Sequence, residues 1–160
     1  MLSVFHFFTW LGDWERVVPI GLVILGLLLA RGWKREAIIL LTSVLSAKLL
    51  SVLFKLFFAA ERPDPSLWLT DASGYSFPSG HATVAMALYG TLAMLLWPRL
   101  AGWKKYLLGL ICTLLVLGIG FSRLALGVHW FTDVLGGWLL GLATAVLVTA
   151  IFKHTNNIHD

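Results

Sequence analysis

Between Ser122 and Asp133 a cation, a histidine and a carboxylate stand close together in an otherwise apolar chain. If a helix begins near Trp130, His129 and Asp133 lie one turn apart and share a face. A carboxylate so placed accepts a hydrogen bond from one ring nitrogen and leaves the other bare and nucleophilic. Arg123 adds a planar fork of donors that fits a phosphate. A second cluster is Lys55 with Arg62-Pro63. These two cations are seven residues apart, two helical turns, so both can point inward on one helix face. A lysine inside a membrane helix needs a partner or water. Lys48 lies a further seven residues down that face, and the sequence assigns it no role. The third cluster is Tyr75-Ser76-Phe77-Pro78-Ser79-Gly80-His81. Pro78 and Ser79 suit a helix start, and Gly80 lets an anion approach the free backbone N–H groups there. His81 would stand at the rim of that anion site.

Lys55, Arg62 and Arg123 would repel one another unless an anion sat between them. A tetrahedral oxyanion, most naturally phosphate, fits three cations, two histidines and one carboxylate. His6, in an apolar segment, reads as a polar tip at a membrane interface rather than a ligand.

The elements that must position these residues follow from composition. The chain has 160 residues, of which 59% are hydrophobic and 12% charged, with a mean hydropathy of +0.86. That is an integral membrane protein, not a soluble domain. The net charge of +4 does not point to nucleic acid, because the basic residues occupy short loops between apolar runs. The single cysteine, Cys112, lies in an apolar run and supports neither a disulfide framework nor a thiol metal site. The start lacks a basic stretch and a small-residue cleavage site, so no cleavable signal peptide is expected.

Residues 1–12 are apolar but shorter than the roughly 20 helical residues that cross a bilayer. They read as an interfacial helix. Spans follow at about Val17–Ala30, Ala37–Ala60, Ser79–Trp97, Tyr106–Phe121 and Phe131–Phe152. The expected fold is a single all-α membrane domain, residues 1–160, with five transmembrane helices, or six if residues 1–12 also cross. Arg31, Lys34, Arg35, Arg99, Lys104, Lys105 and Lys153 fall on one side, and Arg16, Arg62 and Arg123 on the other. The basic side is cytoplasmic. All three clusters then lie on the outer side. Gly137 and Gly141 form a small-x3-small pair suited to close helix packing, more within one chain than in a dimer. Oligomeric state is open.

The three clusters resemble the type 2 phosphatidic acid phosphatases, a family that shares a catalytic core with vanadium haloperoxidases and glucose 6-phosphatase. Its motifs are lysine-x6-arginine-proline, proline-serine-glycine-histidine, and serine-arginine-x5-histidine-x3-aspartate. All three are complete and in order here: Lys55 to Arg62-Pro63, Pro78 to His81, and Ser122-Arg123 to His129 to Asp133. The resemblance covers residues 55 to 133, about half the chain. The chain departs from the family in size, since many bacterial members have six spans.

The resemblance implies that His129 attacks phosphorus to form a phosphohistidine and that Asp133 orients it. It implies that His81 protonates the leaving alkoxide and then helps activate water. Lys55, Arg62 and Arg123, with Ser79 and the Gly80 N–H, would hold the non-bridging oxygens. Three side-chain cations would then do what Mg²⁺ does elsewhere, and no metal or other cofactor is expected. Glu61, Asp64 and Asp71 read as solvated loop acids without ligand spacing.

The expected partner is a lipid phosphate held in the bilayer: phosphatidylglycerophosphate, phosphatidic acid, undecaprenyl diphosphate or lipid A 1-phosphate. The expected location is a bacterial inner membrane, with the site facing the periplasm or exterior. Two other readings stay open. The phosphate could pass to a second lipid rather than to water, or the protein could bind an anionic lipid without chemistry.

Overall fold

Helix α3 (Lys34–Phe58) is the post against which the site is built. Its small or polar residues Ser43, Ala47 and Ser51 are buried on one face, while Leu49, Leu53, Leu56 and Phe57 of the other are exposed. An exposed face this apolar is a lipid-facing face. The computed structural model describes residues 2–156. Around α3 stand α1 (Leu2–Gly12), α2 (Trp14–Ala30), α4 (Gly80–Arg99), α5 (Trp103–Ala125) and α6 (Phe131–Asn156).

Four of these, α3 to α6, are long and apolar enough to cross a bilayer. Helix α2 has 17 residues, about 25 Å of rise, at the short end of what spans. It gains that length by starting at Trp14, one turn before the expected Val17. The fourth span likewise starts at Trp103 and ends at Ala125, longer at both ends than its apolar run. Helix α4 relaxes into a π turn over Met86–Gly90 and ends in a 3₁₀ turn at Trp97–Arg99, where Pro98 stops it.

Helix α1 is too short to span, as expected, and it packs on the C-terminal half of α5. A Cβ on Gly118 would collide with the Phe8 ring, and one on Gly12 would stand 2.6 Å from Ile119. Thr9 and Gly12 are buried. An apolar helix too short to span can still bury a face against a longer neighbour whose glycines allow close approach.

Gly137 and Gly141 do the same for α6 within this chain. A Cβ at Gly137 would stand 2.7 Å from the Ser79 carbonyl oxygen, and Gly141 meets the Thr83 carbonyl. Trp138 packs over Gly120 and donates to the Val116 carbonyl at 3.3 Å. At the end of the bundle away from the three clusters, Arg99 pairs with Glu36 and Arg35 donates to the Phe152 carbonyl.

Candidate active site

Helix α6 begins beside one of its own carboxylates, Asp133. The Trp130 N–H donates to Asp133 Oδ2 at 2.8 Å, while the Asp133 N–H returns a bond to the Trp130 carbonyl at 3.1 Å. This reciprocal arrangement satisfies amides that the first turn would otherwise leave bare. It also places His129, just before the helix, with Nδ1 3.1 Å from Asp133 Oδ2. Ser76 closes the group: its hydroxyl donates to the same Oδ2 at 2.5 Å and lies 3.2 Å from His129 Nδ1. The Ser79 N–H donates to the Asp133 carbonyl at 2.9 Å, which locks the start of α4 to the start of α6.

The other ring nitrogen, Nε2, lies 3.1 Å from Arg62 Nη1. A guanidinium only donates, so Nε2 is the accepting, unprotonated nitrogen and Nδ1 carries the proton. That is the tautomer a nucleophilic histidine needs. Burial pushes the His129 imidazole down to about 4; the bond to Asp133 opposes this, and the charges of Arg62, Arg123 and Lys55 add to it. The ring is therefore neutral at physiological pH.

Arg62 reaches the site from a loop, not from α3 as the two-turn spacing suggested. Helix α3 ends at Phe58, capped by Ala59 at φ 45°, and Pro63 follows the arginine. A left-handed cap residue turns the chain out of the helix, and the residue before a proline resists helical geometry. The turn lets Arg62 donate to the Gly74 and Ser73 carbonyls, both at 2.9 Å, and to Val128 at 2.8 Å. Lys55, still on α3, donates to the Tyr75 and Ser76 carbonyls at 2.6 and 3.1 Å. Both cations thus clamp loop residues 73–76 against His129.

Arg123, in the last turn of α5, is buried. Its Nη1 donates to Thr9 Oγ1 at 2.5 Å, and its Nε has no partner. The Ser79 hydroxyl is also buried without a partner. Unpartnered donors at a buried cationic site fit an anionic ligand. His81 stands across the site with Nε2 2.9 Å from Asp13 Oδ1. The bond to His81 holds the Asp13 carboxyl below its ordinary range, against desolvation.

These residues surround one cavity of about 280 Å³, whose walls include Lys55, Arg62, Gly80, His81, Arg123 and His129. The structure brings Lys55, Arg62, Gly80, His81, Arg123 and His129 of the three motifs to one cavity, while the Ser122 hydroxyl donates to the Ile119 carbonyl within α5. Ser79 and Asp133 lie directly behind the wall. Of the loop acids, Asp71 is exposed, as expected, and also borders the cavity mouth. Asp64 accepts from the Ser66 N–H at 2.8 Å and caps a 3₁₀ turn. Among the described residues, no three histidine, cysteine or acidic side chains converge as a metal-binding group.

Three contributors were not picked out from the sequence: Asp13, Ser76 and Thr9. Ser76 sat inside a quoted motif without a role. Asp13 and Thr9 lie 68 and 114 residues from the side chains they hold, so no spacing rule links them.

The sequence profile of the PAP2 superfamily matches residues 36–157. Phosphatidylglycerophosphatase B of Bacillus subtilis is 38% identical over 103 residues, 63% of this chain and 50% of that protein. An undecaprenyl-diphosphatase of Sulfolobus acidocaldarius is 35% identical over 120 residues, 72% of this chain and 54% of the relative. The chain therefore spans about half the length of these curated relatives. Among solved structures, a transmembrane PAP2-type phosphatidylglycerolphosphate phosphatase from Bacillus subtilis superposes with a TM-score of 0.84 at 31% identity, over 96% of this chain and 77% of that one. The profile match takes in every motif residue of the cavity and most of the chain. With that match and that superposition over a multi-pass membrane bundle, the chain belongs to the PAP2 superfamily.

Proposed function

We propose that this protein hydrolyses the phosphate of a membrane lipid through a phosphohistidine, using side-chain cations to hold the phosphoryl group. The observation that carries the reading is the His129 ring. Its Nδ1–H is fixed by Asp133 and Ser76, and its bare Nε2 faces a cation-lined cavity 3.1 Å from Arg62.

The lipid phosphate enters the cavity and its oxygens take the free donors of Arg123 together with Lys55 and the Gly80 N–H. Arg62 exchanges its bond to Nε2 for a phosphoryl oxygen. The Nε2 lone pair then attacks phosphorus. A P–N bond forms, the P–O bond to the lipid breaks, and His81 gives its proton to the departing oxygen. Asp133 stabilises the charge that His129 gains. In the second step water attacks phosphorus and the P–N bond breaks. The proton of the water passes to His81, and inorganic phosphate leaves. Positioning and charge stabilisation are what this transfer requires.

The relatives' activities support a lipid phosphomonoester or diphosphate as substrate, in the class of phosphatidylglycerophosphate or undecaprenyl diphosphate. The distribution of loop charges supports a bacterial inner membrane with the cavity facing the periplasm or exterior.

The test is phosphate release in detergent with EDTA present, wild type beside His129→Ala. Wild type should release phosphate from at least one lipid phosphate, and the variant should lose activity on the order of 10⁴-fold or more. Activity that EDTA abolishes and Mg²⁺ restores would sink the cation-clamp account. Undiminished activity in the variant would remove His129 as nucleophile.

A further inference from the structure

The phosphoryl clamp accounts for three cations, yet the cavity holds a fourth. Lys48 lines it, together with Trp14 and Val84. It stands seven residues before Lys55 on α3, about 10 Å deeper along the helix axis. No carboxylate among the described residues lies within ion-pair distance of its ammonium. Among the described residues its ammonium lies over the Trp14 indole face, 5.0 Å from the ring centre. A lysine at this depth without a counter-charge marks a site that receives one.

The direction of the cavity says which charge arrives. Trp14 also heads an apolar groove between α2 and α3, lined by Val17, Leu22, Leu41 and Leu45. A lipid with its reacting phosphate at His129 would lay its chains in that groove. Lys48 would then face the part of the headgroup between the reacting phosphorus and the chains.

We propose that Lys48 binds a second phosphate, the one that joins the reacting phosphate to the lipid. The protein would thereby select lipids with two phosphates, a diphosphate or a phosphomonoester carried on a phosphodiester, over phosphatidic acid, which has one. This rests on the reading that the cavity acts on lipid phosphates, and it names the substrate class within it. Lys48 makes no bond to the reacting phosphoryl group and is a specificity residue.

A binding measurement separates the two ideas. Detergent-solubilised protein is titrated calorimetrically with methylenediphosphonate, which cannot be hydrolysed, and with orthophosphate. Wild type should prefer the diphosphonate by about tenfold or more. Lys48→Met, which keeps the length of the stem, should bring the two affinities within about threefold while leaving orthophosphate binding near wild type. Lys48→Arg should retain the preference. The same variants are then assayed on phosphatidylglycerophosphate, a polyprenyl diphosphate and phosphatidic acid. Lys48→Met should raise KM for the first two and leave phosphatidic acid near its wild-type value. Equal binding of both anions by wild type, or an equal loss of both in Lys48→Met, would overturn the proposal. A retained diphosphonate preference with no phosphate release from any lipid would instead overturn the lipid phosphatase reading and leave the subsite standing.

Discussion

Two histidine–aspartate pairs stand at the cavity, alike in distance and different in how their carboxylates are held and exposed. His129 and Asp133 are 3.1 Å apart, with side chains 2% and 3% exposed. His81 and Asp13 are 2.9 Å apart, with side chains 22% and 47% exposed. The first pair is made within one helical turn and is braced by Ser76 and the Trp130 amide. The second joins a loop before α2 to the first turn of α4. The difference teaches how one type of pair could serve the two opposite functions that the proposed mechanism needs. A dry, cation-surrounded imidazole is kept neutral and offers a lone pair. A partly buried imidazole with its Nε2 held by a carboxylate is, in the proposed mechanism, the one that gives a proton to the leaving group.

Breaking the buried pair should have the largest effect. In Asp133→Asn the amide can donate to Nδ1, which moves the ring proton to Nε2 and covers the nucleophile. By analogy with other histidine–aspartate systems, kcat should fall by about 10³–10⁴-fold. Gel filtration in detergent would show whether the bundle remains intact. The wild-type pH profile sharpens the same point. Protonating Nε2 removes the lone pair, so activity falls as pH drops through the His129 value. With that value near 4 in the unliganded protein, His129 should give kcat/KM no acid limb above about pH 5; the separate fall on the alkaline side belongs to loss of the proton that His81 must give. A bound phosphate dianion favours the charged ring, so the limb in kcat should lie at higher pH than the limb in kcat/KM. A kcat/KM limb at the ordinary imidazole value, about 6.5, would mean that His129 is not desolvated as described.

Breaking the open pair at its histidine should cost less and show a different signature. His81→Ala should slow release from an alkyl phosphate lipid by roughly 10²–10⁴-fold. A p-nitrophenyl phosphate needs no proton on its departing oxygen, so its loss should be much smaller. Equal losses on both substrates would show that His81 holds phosphate rather than protonating the leaving group.

The same contrast explains what could be read before the structure. The buried pair was legible because its partners sit four residues apart, where helix geometry forces them together. The three motif cations were legible for a related reason, since each stands at a fixed offset from a proline, a glycine or a histidine. Even there, the two-turn spacing of Lys55 and Arg62 gave the wrong route: Ala59 ends the helix and Arg62 arrives by a loop. The apolar runs located α2 to α6, with α2 and α5 reaching beyond their expected ends. What was not legible lies in the open pair and its surroundings. Asp13 and Thr9 belong to the N-terminal segment, and their partners are set by the packing of α1 on α5. That packing depends on Gly12 and Gly118 meeting Ile119 and Phe8, a match of shapes with no periodicity.

The smallest effect expected is at Asp13 itself, and it decides whether the open pair is a pair in function. Asp13 bonds His81 and not His129, so in the proposed mechanism it would act through His81 as a positioning residue. Asp13→Asn keeps the size of the side chain and removes the charge. A hydrogen bond to a charged group contributes about 1.5–3 kcal/mol when buried, and partial exposure discounts it. A fall in kcat of about tenfold on an alkyl phosphate lipid is therefore expected, with KM little changed. The informative readout is the leaving group. If Asp13 works through the proton on His81, Asp13→Asn should spare p-nitrophenyl phosphate as His81→Ala does, and should add little further loss in the His81→Ala background. If Asp13 only pins the α1–α2 corner, both substrates should slow together, and the double variant should lose the product of the two single effects.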